Sequence, residues 1–402
     1  MRHISGVSVC GPLARYVEGF WEELAAQGYT PLSAANQLRL MAHLSRWLES
    51  EGLDAGALSS EVIEQFLAVR RSAGYTCWRS ERGMGPLLVH LRRLGVSPAP
   101  VSVVPADPVQ VLVSEFVAYL RAERGLAPST IGHYETVARR FLSTRTTESR
   151  LDLAGLKTRD VTAFVTSECT GRSVGVAKNL VSDLRALLRF LHLTGRTEFS
   201  LAPAVPAVAG WRGSALPRAL GRDEVTALLK SCDRRRRIGR RDYAVLSLLV
   251  RLGLRAGEVA RLRLEDLDWD QGEVLVRGKG GRLERLPLPV DVGEAVVAYL
   301  RRGRGDSGCR ELFLRARAPE GALSPGAVTG IVHQACLRAG VSPVGAHALR
   351  HSAATEMLRN GVPIAEIAQV LRHASTSTTA IYAKVDRNAL RLLAEPWPGE
   401  AS

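Results

Sequence analysis

A mainly α-helical chain with one small β element in its last domain is what this sequence predicts, and three observations predict it. Apolar residues recur at helical spacing through most of the length. Two stretches rich in proline and small residues, Val96 to Pro108 and Ser200 to Pro217, interrupt that periodicity. Apolar and polar residues alternate on both sides of the Gly-Lys-Gly-Gly run at 278 to 281, the pattern of a hairpin. The 402 residues suffice for two or three domains of about 150 residues each. With the two breaks taken as linkers, three domains remain: residues 1–100, 109–199 and, after a linker at 200–217, residues 218–402.

The first two domains read as copies of one another, offset by about 97 residues. Gly28-Tyr-Thr-Pro31 aligns with Gly125-Leu-Ala-Pro128, and in each a proline and a hydroxyl residue stand where a helix should begin. Further on, Leu58 to Phe66 matches Leu156 to Phe164, and Leu91-Arg92 matches Leu188-Arg189. Two unrelated bundles sharing Leu/Arg periodicity would give a similar pattern. No convincing strands stand out in residues 1–100, which favours a duplicated helical module there.

In the third domain, Arg222 to Ser231 and Arg241 to Leu254 read as amphipathic helices, the first opened by Asp223 and Glu224. Glu273 to Arg277 and Arg282 to Leu288 read as two strands around the glycine-rich turn. From Ser324 onward the pattern is helical again.

Lys and Arg number 54 against 40 Asp and Glu, a formal charge of +14 that favours a polyanionic partner such as nucleic acid. Only five of the cations are lysines, and a GC-rich genome produces the same arginine bias without functional pressure. The six cysteines lie far apart with no metal-ligand spacing, so they read as reduced thiols rather than a disulfide framework or a zinc site. Neither a signal peptide nor a stretch of membrane-spanning length is recognisable, and the expected location is cytoplasmic.

Four short stretches of the third domain combine cations, imidazoles and a tyrosine. In Gly253-Leu-Arg255-Ala-Gly-Glu258, Arg255 and Glu258 stand three apart on a helix, where the glutamate can orient a neighbouring cation. A surface ion pair reads the same way. Lys279 sits at the tip of the glycine-rich turn, from which a long ammonium can reach a neighbouring site and donate a proton; a solvated hairpin tip is the plainer reading. The turn is not a P-loop, since the GxxxxGK[ST] spacing is absent. His347-Ala-Leu-Arg350-His351 puts His347 and Arg350 on one face at a helix start, where an anion also feels the helix dipole, although a core histidine beside a surface arginine fits as well. The fourth stretch runs Leu371-Arg-His373 through a Ser/Thr-rich turn to Tyr382 and Lys384. Taken together, two arginines, a lysine, two histidines and a tyrosine can attack a phosphodiester without a metal. Guanidinium groups bind the non-bridging oxygens, a phenol near cations becomes nucleophilic, and an ammonium protonates the departing oxygen.

The order Arg…Lys…His-x-x-Arg…His…Tyr, in the contexts GLRAGEVARL, VRGKGGRLERLPL, HALRHSAAT and LRHASTSTTAIYAKV, resembles the phage-integrase family of tyrosine site-specific recombinases. The match runs from Gly253 to Val385, and the helical pattern at 109–199 is similar to the family's core-binding domain. The resemblance implies an α+β catalytic domain behind two SAM-like helical bundles. It implies that Arg255 and Arg350 clamp the scissile phosphate, that His347 and His373 hydrogen-bond it, that Glu258 supports the site, that Lys279 is the general acid and Tyr382 the nucleophile. Arg372 stands where many members have glycine, which puts the local backbone around His373 in question.

Carried further, the resemblance implies a C-shaped clamp on double-stranded DNA at specific recombination sites. A homo-tetramer, or one shared with related recombinases, would exchange strands through a Holliday junction and a 3′-phosphotyrosyl bond. No cofactor, metal or ATP, no membrane and no small-molecule substrate is expected. The run Arg234 to Arg241, with arginines at 234, 235, 236, 237, 240 and 241, is expected to supply phosphate contacts, unless it is a solvated loop. The tail beyond Tyr382, with Asn388 to Ala394 and Trp397, is expected to dock on a neighbouring protomer. Two other functions stay open at this level: a type IB topoisomerase-like relaxing enzyme using the same nucleophile, and a DNA-binding regulator without activity. Integration, excision, resolution and transposition are not distinguishable.

Overall fold

Proline at the first helical position and a hydroxyl or carboxylate just before it start several helices of this chain, and the order of those starts sets its architecture. The computed structural model describes residues 2–4, 6–78, 80–98, 107–147, 150–209, 219–278 and 281–372. They fall into two units, residues 1–98 with 215–402, and residues 99–214.

Residues 1–98 begin with a hairpin of β1 (Arg2–Ile4) and β2 (Val7–Val9), antiparallel, with Gly6 at a φ of +73° in the turn. This corrects the expectation of no strands at this end. Each strand has three residues, too few for alternation to show, yet Val7 and Val9 are buried in the local core. Ser45 Oγ fastens the following segment by accepting from the Leu13 N–H at 3.0 Å. The helices α1 (Val17–Ala26), α2 (Pro31–Ser50), α3 (Ser60–Ser72) and α4 (Glu81–Arg93) follow. The Thr30 hydroxyl caps α2 by accepting from the Ser33 N–H at 3.3 Å.

The 99–214 unit has the same order: α5 (Pro108–Ala122), α6 (Pro128–Ser143), α7 (Thr158–Cys169) and α8 (Val174–Leu193), with a ribbon of two-residue strands, β3 (Thr146–Thr147) and β4 (Arg150–Leu151). Phe116, Phe141, Phe164 and Phe190 form the centre of its own core. Residues 99–106, most of the first proline-rich break, and 210–218, the latter part of the second, lie outside the described residues.

The remaining residues build a third core. Helices α9 (Arg222–Lys230) and α10 (Arg237–Arg251) lead to the short α11 (Ala256–Ala260). The expected span of 241 to 254 for α10 is displaced by one turn, because tertiary hydrogen bonds hold its first turn: Arg237 Nε and Arg240 Nη1 donate to the carbonyls of Gly303 and Arg302 at 3.1 and 2.9 Å. The hairpin pairs β6 (Glu273–Arg277) with β7 (Leu283–Pro287), Leu275 opposite Arg285. The two-residue β5 (Leu267–Asp268) adds a third antiparallel strand. Then come α12 (Val290–Tyr299), α13 (Pro325–Ala339), α14 (Ala346–Arg359) and α15 (Ile364–Val370). Small residues let α14 sit deep: Ala348, Ser352, Ala353 and Ala354 are all buried. Ser352 Oγ also accepts from the Leu220 N–H at 2.7 Å, tying the start of this region to α14.

Candidate active site

Past α10 the chain turns at Gly253, whose φ of +57° is left-handed. A Cβ there would lie 2.6 Å from Leu371 Cδ2, so the turn and the close packing both require glycine. Two residues later Arg255 opens α11. Its own N–H donates to Glu258 Oε2 at 2.8 Å, and its Nη1 donates to Glu258 Oε1 at 2.7 Å. The spacing of three that the sequence offered therefore forms a closed unit of backbone, guanidinium and carboxylate.

The Glu258 side chain is 1% exposed, and Oε2 accepts a further bond from Arg372 Nη2 at 2.8 Å. Burial works to raise the Glu258 pKa, but the Arg255 N–H and the Arg372 and Arg255 guanidinium groups outweigh it and hold the carboxyl below its ordinary range. An anionic carboxylate thus stands between two cations.

Arg350, one turn into α14, is 1% exposed. Nη1 donates to the Gly253 carbonyl at 2.6 Å, and Nη2 donates to the carbonyl of Leu371. Arg255 Nη2 reaches the next carbonyl along, that of Arg372, at 3.3 Å. Both guanidinium groups thereby converge on consecutive peptide units at the end of α15. Leu371 is fixed there by packing on Ala354 and Ile367.

His347 lies in the first turn of α14, on the face that carries Arg350. Desolvation first, then Arg350 and Arg255, lower its pKa below the usual histidine value. Its ring meets His351 edge-on, with centroids 4.4 Å apart. His351 is pushed down to about 4 by desolvation, His347 and Arg350. Both rings are therefore neutral at pH 7, and a neutral imidazole can accept a proton.

The structure brings together Arg255, Glu258, His347 and Arg350. Lys279, His373, Tyr382 and the tail segment 386–402 lie outside the described residues. The β6–β7 ladder frames the Lys279 turn, closed by the Gly278 N–H donating to the Arg282 carbonyl at 2.8 Å. His373 is the next residue in the chain after Arg372.

Sequence reasoning assigned no role to Arg372, Glu284 or His351. For Arg372 the signal was present, a cation where the pattern has glycine. It adopts the left-handed backbone that glycine would, with a φ of +55°. Its buried contact with Glu258 offsets the steric penalty of about 1–2 kcal/mol that a side chain meets there.

The arginine run divides in two. Arg237 and Arg240 bond carbonyls as above, and Arg241 is buried, bonding Asp242 Oδ1 at 2.7 Å and the Leu314 carbonyl at 3.1 Å. Arg234, Arg235 and Arg236 are exposed, Arg234 lying over the Tyr243 ring at 4.4 Å. This run and Arg255 lie at opposite ends of α10, about 22 Å long for its 15 residues. Among the described residues no group of His, Cys, Asp and Glu side chains could hold a metal ion, and no helix is long and apolar enough to cross a membrane.

Comparison with known proteins gives the family. The model of the Phage integrase family matches residues 218–389, and that of the Phage integrase N-terminal SAM-like domain matches residues 113–195. The putative integrase/recombinase y4rA of Sinorhizobium fredii (strain NBRC 101917 / NGR234) is 42% identical over 97% of this chain and 96% of its own length. Tyrosine recombinase XerD of Mycobacterium tuberculosis (strain ATCC 25618 / H37Rv) is 34% identical over 71% of this chain and 95% of its own. Among solved structures, XerH site-specific recombinase bound to palindromic difH substrate superposes with a TM-score of 0.55 at 20% identity, over 83% of this chain and 94% of that one. A lambda integrase tetramer bound to a Holliday junction gives 0.53 at 17% identity, over 76% of this chain and 88% of that one.

Proposed function

This chain belongs to the phage integrase family of tyrosine recombinases, and on that premise we propose that it cuts and rejoins DNA strands at specific sites through a tyrosyl phosphate on Tyr382. The observation that carries the proposal is the convergence of Arg255, Arg350 and His347 beside the peptide units that lead into His373.

A scissile phosphate beside these peptide units meets two guanidinium groups. These bind its non-bridging oxygens and balance the charge that grows as phosphorus becomes five-coordinate. The first turn of α14 adds its helix dipole. The Tyr382 oxygen then bonds to phosphorus while the P–O5′ bond breaks. The phenolic proton passes to an imidazole, His347 or His373, and the 5′ oxygen takes a proton from Lys279. The reverse attack by a 5′ hydroxyl of a second duplex rejoins the strands, because the phosphotyrosyl bond conserves the energy of the broken one. Residues 109–199 are taken as the core-binding module, 1–100 as its possible duplicate and 218–402 as the catalytic domain. A homo-tetramer on two duplexes, passing through a four-way junction, fits the solved neighbours described above. The exposed Arg234, Arg235 and Arg236 are assigned to phosphate contacts.

The test is a pool of duplexes with randomised centres, incubated with the full chain, quenched in denaturant and sorted for DNA bound covalently to protein. Enrichment of one sequence family, lost on Tyr382→Phe, supports the proposal. Absence of any covalent complex from the wild-type chain overturns it.

A further inference from the structure

We propose that Arg372 is a positioning residue that couples the hairpin bearing Lys279 to the Arg255–Glu258 clamp. The proposal rests on the reading of Lys279 as general acid and adds to it the device that sets where the lysine's hairpin stands.

Three observations carry it. Arg372 takes a left-handed φ at the end of α15, and its side chain runs inward until only 4% of it is exposed. There it closes a ring: Arg372 Nη2 bonds Glu258 Oε2 at 2.8 Å, Glu258 Oε1 holds Arg255 Nη1 at 2.7 Å, and Arg255 Nη2 bonds the Arg372 carbonyl at 3.3 Å. Next to Nη2 on the same plane, Arg372 Nε faces Glu284 Oε2 of β7 at 3.7 Å, an ion pair without a hydrogen bond. Glu284 pairs across the ladder with Val276, one pair before the ladder ends at Arg277 and Leu283, and Lys279 follows two residues after Arg277 in the sequence.

The guanidinium is planar with donors fixed in direction, so Glu258 at Nη2 and Glu284 at Nε place α11 and β7 against one rigid group. A lysine ammonium, a single point charge, cannot hold two carboxylates in a set mutual direction. Arg372 touches neither phosphate nor leaving group in this arrangement. It acts on the lysine through Glu284, with Glu258 as the buried anchor that holds its guanidinium in place.

The experiment uses the full chain and the duplex selected by covalent capture, made in two forms. One has the natural oxygen at the scissile 5′ position and the other has a bridging sulfur. A thiol leaves as thiolate, its pKa being about 8.5, and needs no proton from Lys279. Arg372→Gly, Arg372→Lys and Glu284→Gln are compared with the wild-type chain for the rate of covalent complex formation. Thermal unfolding is recorded in parallel, and Arg255→Ala serves as the clamp control. On the oxygen substrate Arg372→Gly is expected to be slower by about 10- to 100-fold, as for a misplaced catalytic group, with smaller losses for the other two. On the sulfur substrate all three should lie within about threefold of wild type, while Arg255→Ala stays slow on both.

Equal slowing on both substrates, or wild-type rates on the oxygen substrate, overturns the proposal. Should Arg372→Gly not fold, Glu284→Gln decides, since its side chain is 38% exposed and its loss leaves the buried ring intact. If the wild-type chain links to neither substrate, it is the reading of the function that fails, and the failure is then seen before any Arg372 variant is compared.

Discussion

Replacing Glu258 by glutamine keeps the shape of the side chain and removes the one charge that stands between Arg255 and Arg372. The wild-type carboxylate accepts three hydrogen bonds, from the Arg255 N–H at 2.8 Å, Arg255 Nη1 at 2.7 Å and Arg372 Nη2 at 2.8 Å. Glutamine keeps one acceptor oxygen and turns an NH2 toward a guanidinium. Two charge-assisted bonds, each contributing about 1.5 kcal/mol or more, are lost, which puts the destabilisation near 3 kcal/mol, at the lower end of the range for breaking a buried ion pair. The assay is urea unfolding of the full chain, supported by calorimetry, where this loss corresponds to a midpoint about 6–12 °C lower. The sign of the pH dependence follows from linkage. Because the folded-state pKa of Glu258 is depressed, its contribution is complete above the ordinary carboxylate range and is lost as pH falls through the folded value. The gap between the two proteins is therefore widest near pH 7 and narrows in acid. A gap below about 0.5 kcal/mol at pH 7, or one that does not change with pH, refutes the reasoning.

Three further outcomes follow from the same geometry. Gly253→Ala places a methyl 2.6 Å from Leu371 Cδ2 at a left-handed φ, and should destabilise the chain by about 2–3 kcal/mol in urea. His351, folded pKa about 4 against an ordinary 6.5, gives stability that is full above pH 6.5 and is lost as pH falls toward 4. His351→Gln should therefore remove up to about 3 kcal/mol of the acid-induced loss, read as the difference between unfolding at pH 7.5 and 4.5. Asp183, buried in α8 with its pKa raised to about 6, weakens the fold when ionised. Asp183→Asn should be more stable than wild type by about 1–3 kcal/mol at pH 8, an advantage that fades as pH drops below 6 and the native carboxyl takes up its proton.

Much of the fold was legible because long, amphipathic helices and glycine-rich turns write themselves into short spans of sequence. Pro31, Pro128 and Pro325 each begin a helix, and the alternation at 273–277 and 283–287 gives the hairpin with its register. What escaped was whatever depends on distant partners. The β1–β2 hairpin and the two-residue β5 are too short to carry a period. The first turn of α10 exists because Arg237 and Arg240 find carbonyls some sixty residues away. Within the site, Arg255, Glu258, His347 and Arg350 were readable from spacing and chemistry. Arg372 was visible only as a departure, since nothing local announces that its side chain turns inward between Glu258 and Glu284. The arginine run misled in part for the same reason. Its charge reads as surface, yet Arg241 is buried against Asp242.

The most direct measurement is the identity of the atom that holds the DNA. The captured complex is digested with nuclease and protease, and the peptide that retains a nucleotide is sequenced by mass spectrometry. A 3′-linked nucleotide on Tyr382, absent from the Tyr382→Phe chain, is the expected result. A nucleotide on any other side chain, or a complex that survives Tyr382→Phe, contradicts it.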